Sequence, residues 1–107
     1  MNPFELNGNH FDVLAVHGLG RRFFPVINGE THFMYQREFI AALTREYPDI
    51  VGGERGPLKL MVCFSNMFGK YSNAQALADA TQRQTYGTLG VTYPARDNRW
   101  LLRNPRP

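Results

Sequence analysis

A single cysteine, Cys63, in a chain of 107 residues excludes an internal disulfide and a cysteine-rich zinc site. That thiol is either a small buried apolar group or a nucleophile. No apolar run approaches the roughly 18 residues of a membrane-spanning helix. The opening residues Met1-Asn2-Pro3-Phe4-Glu5 have neither the basic start nor the apolar stretch of a secretion signal, so a soluble chain with no membrane partner is expected. Ligands at zinc-like spacing are missing, and Gly18-Leu19-Gly20 fails as a dinucleotide fingerprint because Phe23 stands three positions further on. Neither a metal nor another cofactor is expected. No glutamate follows Glu54, and no Gly-x-Ser-x-Gly nucleophile elbow occurs.

What is present is enough for a core. Hydrophobic residues make up 43% and aromatics 13%, and 20% charged is too little for a solvated disordered chain. The net charge is +3, with ten arginines among the twelve basic residues. Residues 1–93 carry eight basic and eight acidic side chains, so the whole excess lies in residues 94–107, where Arg96, Arg99, Arg103 and Arg106 face Asp97 alone. A charge-balanced domain with an Arg-rich end gives no general case for a nucleic-acid partner.

Phe11 to Val16 is a short β-rich run closed by His17-Gly18-Leu19-Gly20, and Leu58 to Cys63 is a second such run. Residues 21–30 suit a hairpin turning at Asn28-Gly29. Phe33, Phe39, Ile40, Leu43 and Tyr47 approximate a helical stripe, which predicts a helix from about Thr31, its cap, to Tyr47, stopped by Pro48. The aromatics Phe33, Phe39, Tyr47 and Trp100 are expected in the core. Ser72 or Asn73 can cap a second helix with Ala74, Leu77, Ala78 and Thr81 inward. Tyr86 to Tyr93 is one bent strand or two, and Arg99 to Leu102 can pair with it. The order strand, helix, strand, helix, strand predicts a small three-layer α/β domain with a mainly parallel sheet and a C-terminal hairpin. One domain is expected over residues 1–107, with a core from about 11 to 102 and an extended tail at 103–107.

In an open parallel sheet, sites collect beyond the carboxyl ends of the strands, where His17 and Cys63 both fall. An imidazole beside a thiol can take its proton, and peptide N–H groups at Gly18 and Cys63 can hold an oxyanion. Asp12, Asn66 and Asn73 are candidates to orient His17, and nothing selects one. Arg21-Arg22, followed by Phe23-Phe24, either holds an acidic or phosphorylated ligand or is a solvated pair over two core aromatics.

A strand ending in His17-Gly18, followed 46 residues after the His by a strand ending in Cys63, resembles the caspase-like clan of cysteine peptidases, including its CHAT-type members. The small-residue helix from Ser72 to Ala80, the stretches Thr85-Tyr86-Gly87 and Val91-Thr92-Tyr93, and Arg99-Trp100-Leu101-Leu102 are similar to C-terminal modules of bacterial polymorphic toxins. The resemblance implies His17 as base and Cys63 as nucleophile, with Gly18, Ser65, Asn66 and Arg21 serving the oxyanion or the substrate. It also implies a protein or peptide substrate, a cognate inhibitor or immunity protein as partner, and delivery as part of a larger secreted bacterial protein. Met61-Val62 and Ser65 stand where a caspase has Gln-Ala and Gly, which bears on specificity. Two other readings stay open. The stretch Cys63 to Ser72 resembles the second-motif region of NAD-using ADP-ribosyltransferases, and a catalytically inactive binding module has the same composition.

Overall fold

A computed structural model of the chain describes residues 12–52, 54, 56–93 and 98–107. Its main sheet is mixed and mostly parallel. Strand β1 (Asp12–Ala15) pairs in parallel with β7 (Leu58–Met61), β7 in parallel with β8 (Thr85–Gly87), and β8 antiparallel with β9 (Leu101–Arg103). Between β1 and β7 the chain makes five short strands, β2 (Gly18–Leu19), β3 (Arg22–Phe23), β4 (Val26–Ile27), β5 (Glu30–Thr31) and β6 (Met34–Tyr35), and then helix α1 (Gln36–Glu46). Helix α2 (Asn73–Thr81) links β7 to β8. Phe11 and the 95–97 part of the expected hairpin connection lie outside the described residues.

Strand alternation sorts the sheet residues. In β1 and β7, Asp12, Leu14, Leu58 and Leu60 are buried, while Val13, Ala15, Lys59 and Met61 are half-buried. Leu14, Leu58, Leu60 and Val62 pack into one core with Phe39 and Leu43 of α1 and Ala74 and Leu77 of α2. Both helices therefore cover the same face. That arrangement follows from strand order: the crossovers from β1 to β7 and from β7 to β8 step in one direction, and two right-handed crossovers in one direction put their helices on one side. The expected three layers are thus two among the described residues, with no described helix on the face of Val13, Lys59 and Met61. The simple alternation of strands and helices is also interrupted, because β2 to β6 intervene before α1.

The first helix begins later than its apolar spacing predicts. Thr31 is held in β5, where Val26↔Thr31 and Ile27↔Glu30 pair, and Tyr35 is held in β6 against Arg22. Sheet pairing claims these residues, so Tyr35 rather than Thr31 precedes the first turn, and its N–H donates to Glu38 Oε1 at 3.3 Å. Asn28 and Gly29 form the hairpin turn with φ of 52° and 81°, the left-handed pair that a two-residue turn requires. Phe33 is 70% exposed rather than in the core, touching Phe24 edge-on, while Phe23 and Phe39 stack at 4.0 Å inside. Pro48 ends α1 and opens a short 3-10 turn at Pro48–Ile50. Ser72 caps α2 by accepting from the Gln75 N–H at 3.0 Å.

At the amino end of the sheet Arg83 is fully buried against Asp12. Its Nη1 lies 2.9 Å from Asp12 Oδ2 and 3.3 Å from the Ile50 carbonyl, Nε donates to the Gly56 carbonyl at 2.9 Å, and Nη2 to the Pro57 carbonyl at 3.2 Å. Three chain segments thereby meet on one guanidinium. Removing one partner of a buried ion pair strands the other charge, so Arg83→Ala should lower stability by about 3–5 kcal/mol in urea denaturation. Replacing both partners by apolar residues (Asp12→Leu with Arg83→Met) should cost less than the sum of the single changes.

The tail, expected only as an extended end, is hooked to α2. Arg106 Nη2 and Asp79 Oδ2 are 2.8 Å apart, and the Arg106 backbone N–H donates to Asp79 Oδ1 at 2.8 Å. Burial pushes the Asp79 carboxyl up, but the hydrogen bonds from the Arg106 side chain and backbone and from Gln75, with the Arg106 charge, outweigh it and hold the group below 3.8. A carboxyl lowered in the folded state contributes stability that is present above its ordinary value and lost as pH falls through the folded one. Hydrogen exchange of the Arg106 amide should therefore become less protected below pH 3.8. Asp79→Asn should remove that acid step.

Candidate functional site

The pairing of β1 with β7 has an offset of 46 residues at every rung, from Asp12↔Leu58 to Ala15↔Met61. His17 and Cys63 are separated by the same 46. Each lies two residues past the last rung, Ala15↔Met61, beyond the carboxyl ends of adjacent parallel strands that run about 4.8 Å apart where they pair.

Beyond that point the strands diverge in role. His17 is exposed, and its carbonyl accepts the Phe24 N–H at 2.7 Å as the chain turns into the β2–β3 hairpin. Gly18 is buried because it sits against Val62: a Cβ there would lie 2.5 Å from Val62 Cγ1 and 3.1 Å from the Arg22 carbonyl. The glycine after the histidine is required by packing, whatever else its N–H does. Cys63 is half-buried, and its Sγ accepts the Thr92 N–H at 3.5 Å and lies 3.7 Å from Thr92 Oγ1. Among the described residues no hydrogen bond joins Sγ to His17.

The loop after Cys63 runs alongside residues 88–92. Phe64, at φ 57°, donates its N–H to the Gly90 carbonyl at 2.7 Å, and the Asn66 N–H donates to the Thr88 carbonyl at 2.8 Å. Thr88, Leu89, Gly90 and Val91 with Asn98, Arg99 and Leu101 line a cavity of about 130 Å³ beside this loop. Neither Cys63 nor His17 is among the residues that line it.

The other expected site residues have occupations of their own. Ser65 is buried, and its Oγ accepts the Thr88 N–H at 3.0 Å. Asn66, also buried, donates to the Leu101 carbonyl at 3.1 Å and accepts from Arg103 Nε at 2.7 Å. Both fasten the loop to β8 and β9. Asp12 lies at the opposite end of the sheet on Arg83, so it does not orient His17. Asn73 accepts from Gln36 Nε2 at 2.8 Å and donates to the Arg22 carbonyl at 3.1 Å, tying α1 and β3 to α2. Arg21 stands apart on the hairpin, its guanidinium 5.4 Å from the Tyr71 ring centroid. Thr92, the thiol's neighbour, carries no sequence signal that singles it out, because a bent return from β8 brings it back 29 residues later.

The chain matches no protein-family model, no curated protein and no solved structure.

Ser65 Oγ also fills the space above Gly87, where a Cβ would lie 2.5 Å from it and 3.0 Å from Ala74 Cβ. Gly87→Ala should therefore destabilise the fold by about 1–3 kcal/mol, read as a lower urea midpoint, through overpacking at a fixed hydroxyl. Ser65→Ala should cost about 1–3 kcal/mol by leaving the Thr88 N–H buried without a partner.

Proposed function

We propose that the chain is a cysteine hydrolase of the caspase-like type, acting on a protein or peptide, with Cys63 as nucleophile and His17 as base and β1, α1, β7, α2 and β8 as its catalytic unit. The observation that supports this reading is the shared register: β1 and β7 pair with an offset of 46, the separation of His17 from Cys63, and both residues follow the carboxyl ends of their strands, where substrates of such sheets bind. In this reading a side chain of the substrate seats in the small cleft lined by residues 88–91, Asn98, Arg99 and Leu101.

In the reaction His17 takes the Sγ proton, and the sulfur adds to the scissile carbonyl. The tetrahedral oxyanion collapses as the amine leaves with the proton from His17, giving a thioester. Water, deprotonated by His17, then releases the acid and restores the thiol. Turning the sulfur from Thr92 to substrate is a side-chain rotation that substrate binding must drive, because the apo bonds are to Thr92.

The hold of Thr92 on the sulfur favours a second reading, an inactive binding module in which Cys63 is a structural thiol. Native-state alkylation with iodoacetamide separates the two. The hydrolase reading expects Cys63 to react in the folded protein and the rate to fall at least tenfold in His17→Ala, with circular dichroism unchanged. A thiol that reacts only after denaturation would sink it.

A further inference from the structure

We propose that the groove between the β2–β3 hairpin and the first turn of α1 binds a small ligand through a doubly charged phosphoryl group. Arg21, Arg22, Tyr35, Gln36, Arg37 and Glu38 line it, around a half-open space of about 670 Å³, a size in the range of small-molecule sites. Three of the lining residues are arginines, and among the described residues none of them pairs with a carboxylate. The one acid, Glu38, spends Oε1 on the Tyr35 N–H. Three arginines and one glutamate give the groove a net charge of +2, which a phosphate monoester at about −1.5 to −2 matches and a single carboxylate does not.

Two of the three cations also lie over aromatic rings. The Arg22 guanidinium lies 4.2 Å from the Tyr35 ring centroid, and Arg21 lies over Tyr71. Stacking occupies the flat face of a guanidinium and leaves its N–H edge for a phosphoryl oxygen pair. The two walls are fixed to each other through buried Asn73, whose amide accepts from Gln36 on α1 and donates to the Arg22 carbonyl on β3, while Gln36 also donates to the Tyr71 carbonyl at 3.0 Å. A solvated arginine pair needs no such link. The site goes beyond the hydrolase reading and uses neither Cys63 nor His17.

The test is calorimetric titration of the full chain carrying Cys63→Ala with phenyl phosphate, and separately with benzoate, at ionic strength held constant with sodium chloride. Phenyl phosphate should bind at least tenfold more tightly than benzoate and lose affinity as pH falls below its second ionisation, near about 6. Arg37→Gln, an exposed helix position, and Arg22→Gln should each weaken phenyl phosphate at least tenfold with melting temperature unchanged for Arg37→Gln. Equal affinity in Arg37→Gln and its parent, equal binding of benzoate, or binding that vanishes at constant ionic strength would each overturn the site.

Discussion

The guanidinium of Arg83 is the constraint on which the sheet depends. A buried cation in an apolar interior is tolerable only when charge and hydrogen bonds replace the lost water. Here one carboxylate and three carbonyls do so, and they come from β1, from the 3-10 turn after α1 and from the connection into β7. The pair fixes the starting level of β1 relative to the entry of β7. Once the first rung, Asp12↔Leu58, is set, every later rung follows, including the level at which both strands end. The amino end of the sheet thus determines what faces what at the carboxyl end, four rungs away.

The carboxyl end shows a division of labour among small polar residues. Ser65, Asn66 and Asn73 look like site residues by type and position, yet each is buried and fully engaged in bonding neighbouring segments. Among the described residues no buried side-chain nitrogen or oxygen lacks a partner. Arg21, Arg22, Tyr35 and Tyr71, by contrast, are exposed, as is His17. The buried amides and hydroxyls thus tie neighbouring segments together, in part through the backbone carbonyl of Arg22.

How much of this is legible in the sequence depends on the range of the forces involved. The two buried strands, the α2 face of Ala74, Leu77, Ala78 and Thr81, its Ser72 cap and the Asn28-Gly29 turn are local patterns, and each is found in place. Thr31 and Phe33 are misplaced by periodicity because the pairing of Tyr35 with Arg22 and of Thr31 with Val26 overrides a helical stripe. Neither the Arg83–Asp12 pair, 71 residues apart, nor the return of Thr92 to Cys63 leaves any local trace. The separation of His17 from Cys63 is legible as a number, and its meaning as a register offset becomes visible only with the strands paired.

That distinction bears on how relatives of this chain would be found. Between the two positions, ahead of β7, the chain makes five short strands, a helix and a turn, and none of these sets the register of β1 with β7. Surface hairpins such as β4–β5 can lengthen or vanish at little energetic cost, since loop closure varies only slowly with length. The pairing of β1 with β7 can then stay in register while the count between the two positions drifts. A search keyed to fixed spacing would miss such chains, whereas one keyed to rungs would keep them.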